Sequence, residues 1–112
     1  MDDIRHLLAQ YPVATPLRLT GNIVVARDIA HAKLKELLEA GRTIDHIWAV
    51  GPMVMMKFCC LTVQPFGVPT TVSLNTIMID GTGMCGGCRV QLTEGAKFVC
   101  ADGPEFDAHK VD

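Results

Sequence analysis

Three cysteines set among glycines constrain this chain more than any other feature. Cys85 and Cys88 are separated by two residues in the segment DGTGMCGGC, residues 80–88, and Cys100 follows twelve residues after Cys88. Glycines let the backbone N–H groups of such a loop turn toward sulfur, and thiolates are the ligands that soft metals prefer. The segment therefore predicts a metal or redox site.

The position of a fourth ligand favours an iron–sulfur cluster. The plant-type spacing places its first ligand five residues before a C-x2-C pair, and Asp80 stands at that position. A carboxylate is a harder ligand than a thiolate, but it binds iron, so Asp80, Cys85, Cys88 and Cys100 predict a 2Fe–2S cluster. Three alternatives stay open: zinc on the same residues, a redox dithiol, and ordinary buried thiols. Cys59 and Cys60 stand in an apolar stretch and are interpreted as packing residues.

The glycine-rich part of the chain, residues 75–112, is predicted to be a small iron–sulfur lobe. It contains two predicted strands, 89–93 and 97–101, around a hairpin turn at Glu94-Gly95. A lobe of this size buries little apolar surface and usually depends on a staple such as a metal.

Strands and helices alternate upstream of that lobe. The predicted strands cover residues 22–26, 44–50 and 69–74, and the predicted helices cover residues 29–40 and 53–63. This order predicts an α/β fold with a partial Rossmann-like parallel β-α-β-α-β layer over residues 21–74. Asp28 is the predicted cap of the first of these helices, and Gly41 is its predicted stop. Residues 1–20 are predicted to form a short helix, 2–10, and a proline-containing linker.

Composition and charge narrow the function classes. The chain has 112 residues, enough for one domain, and its hydrophobic share of 49% supports a packed core. Ten Lys and Arg against twelve Asp and Glu give a net charge of −2, so we expect no nucleic-acid partner. No apolar run reaches the ~20 residues that cross a membrane. An odd count of five cysteines favours a reducing compartment, so we expect a cytoplasmic protein.

Three motifs carry a family resemblance: AVGPMVMMK, VSLNTIMIDGTGMCGGCRV and KFVCADGPEFDAHKVD. With them, residues 42–112 resemble the C-terminal part of the small flavin subunit of NADH-dependent ferredoxin:NADP oxidoreductase, and more distantly the electron-transfer subunit of dihydroorotate dehydrogenase. The resemblance implies that the same four residues hold a 2Fe–2S cluster and that Gly51, Pro52 and Met53 border a nicotinamide dinucleotide pocket. It implies FAD and NAD(P) only in a partner or a complete parent protein, because the flavin barrel and the glycine-rich phosphate loop are missing here.

A second resemblance covers residues 4–41. The stretch QYPVATPLRLTGNIVVARDIAHAKLKELLEAG resembles class I fumarases and tartrate dehydratases, which implies a carboxylate-binding role for Arg27. Read from the residues alone, Arg27 and His31 are solvent-exposed side chains at a helix start. The two resemblances together suggest a junction of two segments within the helix KLKELLEAG.

We therefore expect an electron-transfer module that relays single electrons between a flavin-containing subunit and another carrier such as a ferredoxin. A complete catalytic site is not expected in this chain. The alternatives are a fumarase-like hydro-lyase fragment acting through Arg27 and His31, or a folded chimera without activity.

Overall fold

The computed structural model describes residues 6–18, 20–27 and 29–112. The helices are Ala30–Glu39, Met53–Val63 and the single turn Val99–Asp102, with 3-10 turns at Gln64–Phe66 and Ala108–Lys110. The strands are β1 (Ile47–Val50), β2 (Thr70–Ser73), β3 (Arg89–Leu92), β4 (Gly95–Phe98) and β5 (Glu105–Asp107). In these described ranges the chain is thus a small mixed α/β protein with two sheets.

The helix Ala30–Glu39 begins and ends close to its predicted bounds. Its predicted cap, Asp28, lies outside the described residues. At the other end Gly41 adopts a φ of 74°, and its N–H donates to the Leu38 carbonyl at 3.1 Å. A left-handed glycine that closes the last turn in this way confirms the predicted stop.

The predicted parallel β-α-β unit is confirmed in the centre of the chain. β1 and β2 pair in parallel with Ile47 opposite Thr70, and the helix Met53–Val63 connects them. Met56, Cys59 and Val63 form the buried face of that helix. The helix Ala30–Glu39 packs against it.

The predicted strand at residues 22–26 is wrong. The segment is irregular in the structure, with Ile23 78% and Val25 87% exposed, and β1 pairs only with β2 in the described sheet. A β-branched run needs a partner strand for its N–H and C=O groups, and the local preference alone does not supply one. The larger β-α-β-α-β layer is therefore absent from the described residues. Of the predicted helix at 2–10, residues 6–8 are helical, and residues 1–5 lie outside the described part.

The C-terminal part forms a hairpin and then returns to the first sheet. β3 and β4 pair antiparallel with Arg89 opposite Phe98. The second strand of the hairpin is Gly95–Phe98 instead of the predicted 97–101, because Val99–Asp102 form a helical turn. β5 pairs antiparallel with β2, placing Phe106 opposite Val72. One core cluster contains Met56, Val72 and Phe106 together with Leu92 of β3, so it joins both sheets.

Lys110, near the C-terminus, contacts the turn of the β3–β4 hairpin. Thr93 donates its N–H to the Lys110 carbonyl at 2.9 Å, and the Lys110 ammonium lies 2.6 Å from a carboxylate oxygen of Glu94.

None of the helices that the structure describes is long and apolar enough to span a membrane.

Candidate metal centre

The hairpin brings two of the predicted ligands together. Cys88 directly precedes β3, and Cys100 lies in the helical turn that follows β4. The Val99 N–H donates to the Cys88 carbonyl at 3.1 Å, which fixes that turn against the start of β3. Antiparallel pairing therefore closes the twelve-residue separation between Cys88 and Cys100.

Cys88 lies among hydrogen-bond donors. The Cys100 N–H donates to its Sγ at 3.4 Å, and this bond lowers the pKa of the Cys88 thiol. The hydrogen bond between the two side chains instead raises the pKa of Cys100. Cys88 is also only 2% exposed. Of the two thiols, Cys88 is therefore the one that more readily loses its proton to form a thiolate.

Asp80 holds the loop that leads to the cysteines. Its carboxylate accepts the N–H of Thr82 and the N–H of Cys85, both at 2.9 Å. These bonds, that from Thr82 first, lower the pKa of Asp80. The carboxylate is thus ionised and anchored beside Cys85.

Cys85 is the exposed thiol of the group, and it sits on a tight glycine loop. The Gly87 N–H donates to the Cys85 Sγ at 3.4 Å. A Cβ built on Gly87 would lie 3.2 Å from the Ile79 Cδ1 and 3.5 Å from this sulfur. Gly86 has a φ of 69°, a left-handed conformation that L side chains rarely adopt. The loop therefore requires glycine to present its amides to sulfur.

The structure gathers the four predicted ligands in one lobe as two pairs. Asp80 is bonded to the Cys85 backbone, and Cys88 is bonded to Cys100. Among the described residues, no three His, Cys, Asp or Glu side chains converge on a single point that could hold a metal ion. The donor set still fits an iron–sulfur group, since three sulfurs, an ionised carboxylate and N–H groups directed at sulfur are the elements such a group requires.

The remaining two cysteines lie on the helix Met53–Val63. Cys59 is 2% exposed, and burial raises the pKa of its thiol. Burial also raises the pKa of Cys60, whose Sγ lies 3.3 Å from the Ala108 carbonyl oxygen. Both occupy packing positions.

The predicted dinucleotide-binding residues stand where β1 passes into that helix. Pro52 is the N-cap and makes no side-chain cap hydrogen bond, and Met53 is exposed. A Cβ built on Gly51 would lie 2.6 Å from the Met55 Cε. This arrangement leaves a helix N-terminus without a side-chain cap at the carboxyl end of β1.

The residues predicted for a carboxylate site do not share one element. Arg27 lies in the irregular segment before the helix Ala30–Glu39, and His31 lies in the first turn of that helix. The His31 ring is 6.1 Å from the Phe58 ring. His31 therefore contributes to the contact between two helices.

Sequence reasoning missed a pair of residues beside the cysteine loop. The Arg89 Cζ lies 5.7 Å from the centroid of the Phe98 ring. Nothing in the local sequence indicates this contact, because it depends on the antiparallel register of β3 and β4.

Two protein families match overlapping parts of the chain. Residues 1–86 match the family described as fumarase C-terminus. Residues 75–112 match the iron–sulfur cluster binding domain of dihydroorotate dehydrogenase B. The expected resemblance to class I fumarases is confirmed, and its match continues past residue 41.

Relatives of both kinds are known. An electron transfer subunit homolog of dihydroorotate dehydrogenase B (NAD(+)) from Thermotoga maritima is 61% identical over 71 residues, which are 63% of this chain and 25% of that protein. An uncharacterised protein of Clostridium beijerinckii is 56% identical over 80 residues, covering 70% of this chain and 27% of that protein. Anaerobic class I fumarate hydratase of Escherichia coli is 41% identical over 103 residues, covering 85% of this chain and 18% of that protein.

A solved structure of NADH-dependent reduced ferredoxin-NADP oxidoreductase, described in connection with flavin-based electron bifurcation, is also similar. It matches with a TM-score of 0.65 and 54% identity, covering 72% of this chain and 29% of that one. The chain thus spans about a quarter of the length of the first relatives it matches.

Proposed function

Because the chain belongs to the fumarase C-terminal family through residues 1–86 and carries an iron–sulfur cluster binding domain in residues 75–112, we propose that it is an electron-transfer module with a 2Fe–2S cluster. The proposed ligands are Asp80, Cys85, Cys88 and Cys100. The observation that carries the proposal is the Cys100 N–H donated to the Cys88 sulfur at 3.4 Å. This bond prepares a thiolate inside the lobe that matches the iron–sulfur domain.

The chain's own residues would hold and adjust the bound group. When bound, a 2Fe–2S cluster supplies reversible one-electron transfer. The N–H groups of Cys100 and Gly87 stabilise negative charge on the sulfurs of Cys88 and Cys85. Asp80 both orders the loop, through Thr82 and Cys85, and supplies the proposed oxygen ligand.

An apolar rim around the loop supports a protein partner. Ile77, Ile79 and Met84 are 81%, 77% and 88% exposed. Large apolar side chains grouped at a redox site are typical of a surface that another protein covers. We propose a flavin-containing subunit or a ferredoxin-like carrier as that partner, with FAD supplied by the partner.

Three further proposals rest on the proposed electron-transfer function. Gly51, Pro52 and Met53 form one wall of a nicotinamide dinucleotide site, and NAD(P)H binding by this chain alone is weak. The chain works in the cytoplasm, where its thiols stay reduced. Residues 1–20, 21–74 and 75–112 are three segments of the chain; the start of the iron–sulfur match at residue 75 supports the second boundary, and the pairing of β5 with β2 joins the third segment to the sheet of the second.

The test is metal and sulfide analysis of protein purified without oxygen, together with its visible absorption. We expect two iron and two sulfide per chain. Asp80→Cys should retain the cluster, Asp80→Ala should make it labile, and Cys60→Ser is the control that should not change it. Stoichiometric zinc without sulfide would contradict the proposed cluster. An unchanged cluster in Asp80→Ala would contradict the assignment of Asp80 as a ligand.

A further inference from the structure

Arg89 stands between the elements that carry the paired thiols. It follows Cys88 in the chain and opens β3. Its partner in the antiparallel register is Phe98, which directly precedes the turn that contains Cys100. A positive side chain therefore lies where the two strand ends of the hairpin meet the cysteine loop.

The side chain of Arg89 lies over that loop. Its Cζ is 5.7 Å from the Phe98 ring centroid, within the range of a cation–π contact. A Cβ built on Gly86 would lie 3.6 Å from the Phe98 Cε1 and 3.9 Å from the Arg89 Nη2. Gly86 is inside the C-x2-C loop, so Phe98 supports the guanidinium against the segment between Cys85 and Cys88.

No carboxylate neutralises this charge in the part of the chain that the structure describes. The described ion pairs involve Lys33, Lys35 and Lys110. The nearby Asp102 carboxylate accepts the Phe98 N–H, and the Asp80 carboxylate accepts two N–H groups of the loop. The positive charge of the guanidinium therefore lies next to the loop, and one face of its plane contacts the Phe98 ring.

We propose that Arg89 sets the reduction potential of this centre by stabilising its reduced state. The inference rests on the proposed 2Fe–2S cluster at the same site. Reduction adds one electron to the cluster and makes its net charge more negative by one, with no bond formed or broken. A fixed positive charge nearby favours the reduced state and raises the midpoint potential. Arg89 acts through its charge, and Phe98 is the residue that positions it.

The experiment is a potentiometric titration of reconstituted protein with dithionite, followed by visible absorption and electron paramagnetic resonance. Arg89→Gln should lower the midpoint potential. At a fixed ambient potential we expect the ratio of reduced to oxidised cluster to fall by about tenfold at low salt, which corresponds to about 59 mV for a one-electron couple. The shift should shrink as ionic strength rises, because salt screens an exposed charge.

Lys97→Gln is the matched control. Lys97 precedes Phe98 on β4 and pairs with Val90, so it faces the other side of the hairpin. Lys97→Gln removes the same charge from the opposite face of the hairpin, so it should move the potential much less. Arg89→Lys keeps the charge but loses the planar stacking, so it should give an intermediate potential.

Two results would overturn the inference: a shift in Arg89→Gln no larger than that in Lys97→Gln, or a shift that salt does not reduce. If Arg89→Gln does not load a cluster, Phe98→Leu removes the support and keeps the charge. Phe98→Leu should then lower the potential, and an unchanged potential would overturn the inference. Failure of the unmodified protein to bind any cluster is a different outcome, which rejects the proposed function itself.

Discussion

The backbone N–H of Cys100 donates to the Sγ of Cys88 at 3.4 Å, across twelve residues of sequence. The β3–β4 hairpin produces this contact, because pairing of Arg89 with Phe98 sets the residues on either side next to each other. Thiol chemistry at the site thus depends on the hairpin register as much as on the glycine loop.

Thiol labelling should separate the proposed ligands from the packing cysteines. In metal-free protein at neutral pH, iodoacetamide should modify the exposed Cys85 about tenfold faster than Cys60, whose pKa burial raises. Reconstitution with iron and sulfide should protect Cys85, Cys88 and Cys100 and leave the rate at Cys60 unchanged. Peptide mass spectrometry measures each rate. Cys85 labelled equally fast before and after reconstitution would remove it from the ligand set.

Burial on one face of the helix Met53–Val63 predicts a clear contrast in stability. Val63 has no exposed surface, whereas Val54 is 66% exposed. Val63→Ala should lower the free energy of unfolding by about 2 kcal/mol, since it removes buried methyl groups and leaves a cavity. Val54→Ala on the same helix should change it by less than about 0.5 kcal/mol. Urea titrations followed by circular dichroism test this, and equal effects would contradict the assigned face.

The ion pair between Glu94 and Lys110 predicts a pH-dependent contribution to stability. The hydrogen bond from Lys110 lowers the pKa of Glu94, and the same bond raises the pKa of Lys110. The pair should therefore stabilise the hairpin fully between about pH 5 and pH 10. That contribution is lost as pH falls through the lowered pKa of Glu94, or as pH rises through the raised pKa of Lys110.

A double-mutant cycle of Glu94→Gln and Lys110→Met, measured by urea unfolding, isolates this contribution. The coupling should be small, since both side chains are about half exposed. The coupling should be present at pH 7, should weaken as pH falls through the lowered pKa of Glu94, and should be smaller at high salt. Lys57→Met removes an exposed charge that takes part in none of the described ion pairs, so it is the control for the general loss of a surface charge. Coupling that does not weaken as the pH is lowered would contradict the electrostatic origin.

Local sequence signals predicted the elements that local contacts form. The glycine stop at Gly41 and the turn at Gly51-Pro52 mark real element boundaries, because each depends on backbone preferences of a few residues. The cysteine spacing likewise identified the lobe that matches an iron–sulfur domain.

Strand pairing outside the β-α-β unit and the hairpin was not predicted from the sequence. Residues 22–26 have a strand composition, yet no strand of the described sheet pairs with them, so they stay irregular. β5 was not predicted, because its three residues become a strand only by pairing with β2. The stacking of Arg89 on Phe98 was hidden for the same reason.

Fumarate hydration should be undetectable in this chain despite its fumarase family membership. The chain spans only 18% of anaerobic class I fumarate hydratase from Escherichia coli. Arg27, the residue that the family resemblance links to a substrate carboxylate, lies in an exposed irregular segment, and His31 contacts Phe58 between two helices. A carboxylate pocket requires several polar groups held in one geometry, and these two residues share no rigid element that would hold them so. Purified, reconstituted protein should therefore form no malate from fumarate above background, with Arg27→Ala as the control. A rate that Arg27→Ala abolishes would show that this segment retains a working hydro-lyase site.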